Sequence, residues 1–232
     1  MRTLVTGGAG FIGGHAVRRL RARGDEVRVL DDLSSGRRAN LRGADGAPLP
    51  GVDLIVGSVR DPDAVARAVE GVERVVHLAA IASVEFSTRD PETTRAVNAG
   101  GTRAVLEAAA AAGARAAVLS SSCAVYGDPD ALPVHEGLTP DPRSPYAASK
   151  LDAERGALAV GQRSGMAVSV LRFFNVYGPR QDPASPYAAV IPIFARAFAR
   201  GAPITVHGDG LQTRDFCHVD DVVRALLDAL QT

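Results

Sequence analysis

The chain has 232 residues, with 26 basic against 26 acidic side chains and so no formal net charge. At 46% hydrophobic and 22% charged it has ample apolar material for a core, which excludes a disordered chain. Neutrality with dispersed arginines argues against general nucleic-acid or anionic-membrane binding. No apolar run approaches the roughly 18 to 20 residues of a membrane span, and the N-terminus lacks a signal-peptide pattern. Cys123 and Cys217 make neither a disulfide framework nor a metal cluster, so a reducing cytoplasm and no metal are expected. The cations divide into 25 Arg and one Lys, Lys150, in a chain with 40 Ala. Coding bias explains the arginines; the retained lysine asks for a chemical reason.

Along the chain, short β-branched runs alternate with Ala-rich helical stretches. Strands are predicted at Thr3–Thr6, Glu26–Leu30, Asp53–Val56, Arg74–Leu78, Ala116–Ser120 and Ala167–Arg172. Helices are predicted at Phe11–Arg23, Pro62–Glu70, Pro91–Ala112, Pro145–Ser164, Pro186–Arg200 and Val219–Leu230. Asp61-Pro62 and Asp90-Pro91 read as helix starts, an Asp cap followed by Pro at the first helical position. Such alternation predicts right-handed βαβ units and an α/β fold with a doubly wound parallel sheet. Ser34–Gly51 and Gly127–Arg143 read as loops, and the pattern after Gly178 as a small second lobe. The end at Leu230-Gln231-Thr232 carries no Gly or Pro stop signal, so the chain is expected to be part of a longer one.

Residues 6–13, Thr-Gly-Gly-Ala-Gly-Phe-Ile-Gly, lie between the first strand and the first helix. Gly7, Gly10 and Gly13 let a backbone turn sharply and approach a pyrophosphate placed at a helix N-terminus. The next strand ends at Asp31, where a carboxylate accepts from ribose hydroxyls and repels a 2′-phosphate; this predicts NAD rather than NADP. Arg37 and Arg38 leave NADP open, unless they are simply solvated loop charges.

Further on, Ser120-Ser121-Ser122 ends a strand, and Ser144-Pro145-Tyr146-Ala147-Ala148-Ser149-Lys150 opens a helix. Tyr146 and Lys150, at i and i+4, share a face. An ammonium beside a phenol stabilises phenolate and is expected to lower the tyrosine pKa toward working pH. Such a tyrosine can take a proton from a substrate hydroxyl while hydride leaves the same carbon. The one lysine therefore stands where a compact cation has work.

These motifs, with His77-Leu78-Ala79-Ala80, Asn98 and Arg172-Phe173-Phe174-Asn175-Val176-Tyr177-Gly178-Pro179-Arg180-Gln181, resemble the extended short-chain dehydrogenase/reductase family. Within it, the chain is similar to the nucleotide-sugar 4-epimerases, of which UDP-galactose 4-epimerase is the best known. The resemblance covers every residue and implies a Rossmann-type NAD-binding domain over 1–172, rejoined by the helix at 219–230. Residues 173–218 would form part of a substrate lobe, small and incomplete because such proteins continue further. It also implies NAD contacts from Gly7, Gly10, Phe11, Ile12, Gly13, Asp31, Ser58, Val59, Leu78, Ala79, Ala80, Asn98, Tyr146 and Lys150. Ser122, Tyr146 and Lys150 are the implied catalytic set. Ser122, Tyr146, Asn175, Val190, His207 and Arg214 are the implied substrate contacts, the last toward a diphosphate, which suits a guanidinium. Thr205-Val206-His207 would be a strand whose imidazole stacks on a base. A cytoplasmic homodimer, joined through the helices at Pro91–Ala112 and Pro145–Ser164, is the implied assembly.

Dehydratases and decarboxylases of the family carry acidic residues just after the catalytic Ser or Thr. Here those positions are Cys123 and Ala124, which favours 4-epimerisation of a UDP-hexose through a transient 4-keto sugar. The alternatives are an epimerase or reductase for a UDP-uronate or dTDP-sugar, and an NAD-binding sensor without turnover.

Overall fold

The computed structural model describes residues 1–129, 132–183, 190–206 and 208–231. Six strands form one parallel sheet: β1 (Arg2–Thr6), β2 (Glu26–Asp31), β3 (Val52–Val56), β4 (Arg74–His77), β5 (Ala116–Ser122) and β6 (Ala167–Phe173). Their spatial order is β3-β2-β1-β4-β5-β6. The order reverses between β1 and β4, and the crevice beyond the carboxyl ends of such strands is where open α/β sheets bind ligands. Register brings the ends level, with Thr6 opposite both Leu30 and His77. The glycine loop, Asp31 and the end of β4 therefore meet at one rim.

Side chains alternate across the sheet, so neighbours on one strand serve different cores. Leu4, Leu30 and Leu119 pack with α2 (Pro62–Val69), α5 (Thr102–Ala111) and α6 (Pro145–Ser164) on one face. Val5, Val29 and Val118 pack on the other face with α1 (Phe11–Ala22) and α8 (Val219–Ala229). β5, buried at every position, is covered on both sides. A pair of short parallel strands, β7 (Asn175–Tyr177) and β8 (Phe216–His218), lies outside the main sheet. The chain then returns through α8, whose Val219, Val222, Val223, Leu226 and Leu227 are buried against α1 and the sheet.

Helix starts follow their caps. Asp61, Asp90 and Ser144 accept from the backbone N–H groups of Asp63, Thr93 and Ala147 at 3.0, 2.9 and 3.1 Å, each ahead of a proline. α6 stops at Gly165, with φ of 76°. The helix predicted over Pro91–Ala112 is instead α4 (Pro91–Arg95), a π-helical stretch at Ala96–Gly101, and α5. The widened turn falls on Gly100-Gly101, where no side chain resists it, and turns Asn98 into the core. α3 (Val84–Arg89), started by Ser83, has no counterpart among the predicted helices, being too short to show a helical period. Of the helix predicted over Pro186–Arg200, α7 (Val190–Ala199) is seen, and residues 186–189 lie outside the described residues.

The strand predicted at Thr205-Val206-His207 is not formed at Thr205 and Val206, which are exposed and belong to no strand; His207 lies outside the described residues. No helix among the described residues is long and apolar enough to cross a membrane.

Because Leu226 is fully buried between α8, α1 and the sheet, Leu226→Ala is expected to destabilise the protein by about 2–5 kcal/mol. Chemical denaturation checks this; a loss near zero would show that α8 is not integral to the core.

Candidate active site

The glycine loop is built for close approach. Gly7 has φ of 68°, and a Cβ there would lie 2.8 Å from the Ala79 nitrogen. A Cβ on Gly13 would lie 2.1 Å from the Gly7 carbonyl oxygen, so no side chain is possible where α1 meets the loop. α1 starts with no side-chain cap and no acidic residue in its first turn, which leaves its N–H groups and positive dipole end for an anion. Phe11 and Ile12 are half-buried beside it.

Asp31 does more than end β2. Its Oδ2 accepts from the Ala9 N–H and its Oδ1 from the Leu33 N–H, both at 2.9 Å, so the carboxylate also braces the loop. Burial raises its pKa, while those two backbone donors oppose the rise. Asn40 holds the loop from the far side through the Ala9 carbonyl at 2.8 Å. Ser58 accepts from Arg60 N–H, and Val59 is buried where a Cβ on Gly101 would meet it at 2.5 Å. Leu78, Ala79 and Ala80 are half-buried at the end of β4. A dinucleotide fits this cradle. Arg37 is ion-paired with Asp182, so its charge is engaged within the chain rather than waiting for a 2′-phosphate.

Ser122 closes β5 and is 9% exposed, and Tyr146 stands in the first turn of α6. The Ser122 side chain acts on the Tyr146 phenol and lowers its pKa. Lys150, one turn further, is 4% exposed. Burial raises the Tyr146 phenol above its ordinary range, against the lowering exerted by Ser122. This corrects the expectation that the lysine sets the direction of that shift: the loss of water sets it. Burial likewise lowers Lys150 to about 8, and the Glu154 carboxylate resists the drop. The ammonium is thus still mostly charged at neutral pH.

Two residues at this site are absent from the sequence-based set. Glu154 continues the series Tyr146, Lys150 by another turn and is buried; both its oxygens bind Arg172, at 3.0 and 2.8 Å. Arg172 in turn stacks over the Tyr126 ring at 4.7 Å. Helical spacing is a usable signal for Glu154. Ser87 has none, since it reaches across 59 positions to accept the Tyr146 backbone N–H at 3.0 Å. Asn98 is buried, where its side-chain amide pairs with both backbone groups of Ile81 and donates to Ser149 at 2.9 Å.

The other predicted contacts lie in a cleft of about 890 Å³ between α7, β7 and the stretch before β8. Asn175, Val190 and Arg214 all line it, with Arg196, Thr205 and Phe216; His207 is outside the described residues. Asn175 donates to the Asp215 carbonyl at 2.9 Å. Arg214 of the cleft wall and Asp215 both act electrostatically on the thiol of Cys123, the residue after Ser122. Burial pushes that thiol up, so it stays protonated.

The family model described as the NAD dependent epimerase/dehydratase family matches residues 3–232. This chain belongs to that family. It is 43% identical over 231 residues to the UDP-glucose 4-epimerase of Mycolicibacterium smegmatis, a match covering 99% of this chain and 73% of that one. A Thermus thermophilus UDP-glucose 4-epimerase solved with NAD superposes with a TM-score of 0.89 at 41% identity, over 100% of this chain and 75% of that one. The Thermotoga maritima UDP-glucose 4-epimerase solved with UDP-glucose gives 0.92 at 39% identity, over 100% and 74%. Decarboxylases and dehydratases of nucleotide sugars also occur among the relatives. NAD is therefore the cofactor of this family, and the glycine cradle suits it.

Since Lys150 is the only lysine, labelling with 13C-lysine gives one reporter of its charge. The expected titration midpoint is about 8, and Glu154→Gln lowers it further, because the carboxylate that favours the ammonium is lost. A midpoint near the ordinary 10.5 of lysine would show that the ammonium is solvated.

Proposed function

We propose that the protein is an NAD-dependent 4-epimerase of a UDP-hexose, UDP-glucose/UDP-galactose or their N-acetyl forms. The observation that carries this reading is the pair of residues directly after Ser122. Cys123 is a thiol kept protonated by burial and Ala124 has no functional group, so neither supplies the acid–base step that elimination or decarboxylation needs.

When bound, NAD supplies the acceptor and later the donor of the C4 hydride. Tyr146, whose phenol feels the Ser122 side chain, takes the 4-hydroxyl proton and returns it after the 4-keto sugar has turned over. Its raised pKa makes the phenolate costly, and the Lys150 cation on the same helix face offsets that cost while donating to ribose hydroxyls. Arg214 and Asn175 bind the diphosphate from the cleft, with Val190 against the nucleotide. Gly7, Gly10 and Gly13 cradle the cofactor pyrophosphate and Asp31 holds its ribose. Ser58 and Val59 flank the adenine, and Leu78, Ala79, Ala80 and Asn98 complete the cofactor wall. Free cysteines at Cys123 and Cys217 suit a cytoplasmic enzyme, and the outer face of α6, with Leu158 exposed, suits pairing of two copies.

Incubation with UDP-glucose and separation of the epimers is expected to yield UDP-galactose. Tyr146→Phe is expected to lower kcat by about 10²–10⁴-fold, the usual contribution of a positioned acid–base group. Lys150→Ala with near-normal turnover sinks the mechanism. A dehydrated or decarboxylated product overturns the reading of Cys123 and Ala124, and conversion of only UDP-uronates or dTDP-sugars moves the substrate. Tight NAD binding without turnover of any nucleotide sugar leaves the sensor reading.

A further inference from the structure

A buried series of hydrogen bonds, running through side chains and through the backbone carbonyl of Asn98, leads from the glycine-loop strand to the helix that carries Tyr146, and each link has one allowed direction. Thr6 Oγ1 accepts from the backbone N–H groups of Leu78 and Ala79 at 3.2 and 3.3 Å. Its two lone pairs are then occupied, so its hydrogen goes to His77 Nδ1, 2.8 Å away. At the other side of the ring, Thr102 donates its hydrogen to the Asn98 carbonyl at 2.5 Å. Its oxygen must therefore accept from His77 Nε2–H, at 3.0 Å. Both ends demand the same form of His77: neutral, with the proton on Nε2. Asn98 passes the order on, donating to Ser149 Oγ, which donates to the Tyr146 carbonyl at 2.7 Å.

His77, Asn98, Thr102 and Ser149 are each 2% exposed or less. Burial and the nearby Lys150 charge depress His77 to about 3, which agrees with the neutral ring required by the geometry. A second proton would meet Thr6 donor to donor.

We propose that His77 is a positioning residue for the reaction: through Thr102, Asn98 and Ser149 it fixes the first turn of α6, and so Tyr146, relative to the ends of β1 and β4. The proposal rests on the reading of Tyr146 as the base, but its geometry does not. His77 touches neither sugar nor phenol; it acts through the chain of donors.

The test begins with the unmutated protein. In 15N-histidine spectra at pH 7, with His77 assigned by comparison with His77→Gln, the ring is expected to show a protonated Nε2 and a bare Nδ1. The opposite tautomer or an imidazolium overturns the proposal. Thr102→Val removes the oxygen at near-constant volume and Thr102→Ser keeps it. The first is expected to move the 13Cζ resonance of Tyr146 and to lower kcat about tenfold with KM little changed, as loss of one buried hydrogen bond implies; the serine variant restores both. Ser149→Ala, a milder change further along the chain, is expected to move Tyr146 in the same way if Thr102→Val does not fold. Loss of thermal stability with an unmoved Tyr146 resonance and unchanged kcat overturns the proposal, because it leaves only core packing. Should the unmutated protein convert no UDP-hexose, the functional reading fails, whereas the tautomer and the Tyr146 resonance still decide the relay.

Discussion

An ammonium group with almost no access to water is the constraint around which this structure is arranged. Taking a charge out of water is expensive, and it is tolerated only when partners are placed around it. Lys150 meets that condition with Glu154 one turn away, and Glu154 is itself held by Arg172, which lies over Tyr126. α6 must therefore seat three charged or phenolic side chains against β5 and β6 in a single orientation. That seating puts Tyr146 beside Ser122. The arrangement also explains why lysine is kept in an arginine-rich chain: a compact donor with a movable pKa suits the pocket, and a guanidinium does not.

The second organising feature is the register of the parallel strands. β1, β2 and β4 end level, and β5 runs three residues past Leu119, the partner of His77, to Ser122, so the glycine turn, Asp31 and Ser122 all lie toward the carboxyl rim of one sheet. Asp31 shows how tightly that rim is built, since the carboxylate that would meet a ribose also holds the turn through Ala9 and Leu33. Cofactor recognition and loop geometry are in this way one set of contacts.

Membership of a family that contains epimerases, decarboxylases and dehydratases leaves the product to a few side chains. The proposed reading does not draw on the glycine cradle or on Ser122, Tyr146 and Lys150 to separate them. It rests on the two positions after Ser122, where burial favours the protonated Cys123 thiol and Ala124 ends in a methyl group.

Much of this was legible in the amino-acid order. Period-two and apolar strand runs, Asp-Pro and Ser-Pro starts, and glycines between strand and helix are local signals, and they marked the six strands of the main sheet and the starts of α1, α2, α4, α6 and α8 within a residue or two, whereas the strand expected at Thr205–His207 is not formed at Thr205 and Val206. Tyr146 and Lys150 were legible because a helix makes i and i+4 neighbours by its own geometry. The tertiary structure decided what depends on distant partners. Ser87 under Tyr146, Arg172 on Glu154, and the tautomer of His77 all arise from contacts that sequence spacing does not encode. The raised pKa of Tyr146 belongs to the same class, because its sign depends on how much water the fold removes. Local geometry is written residue by residue, whereas burial and the direction of a hydrogen bond exist only once the chain has closed around them.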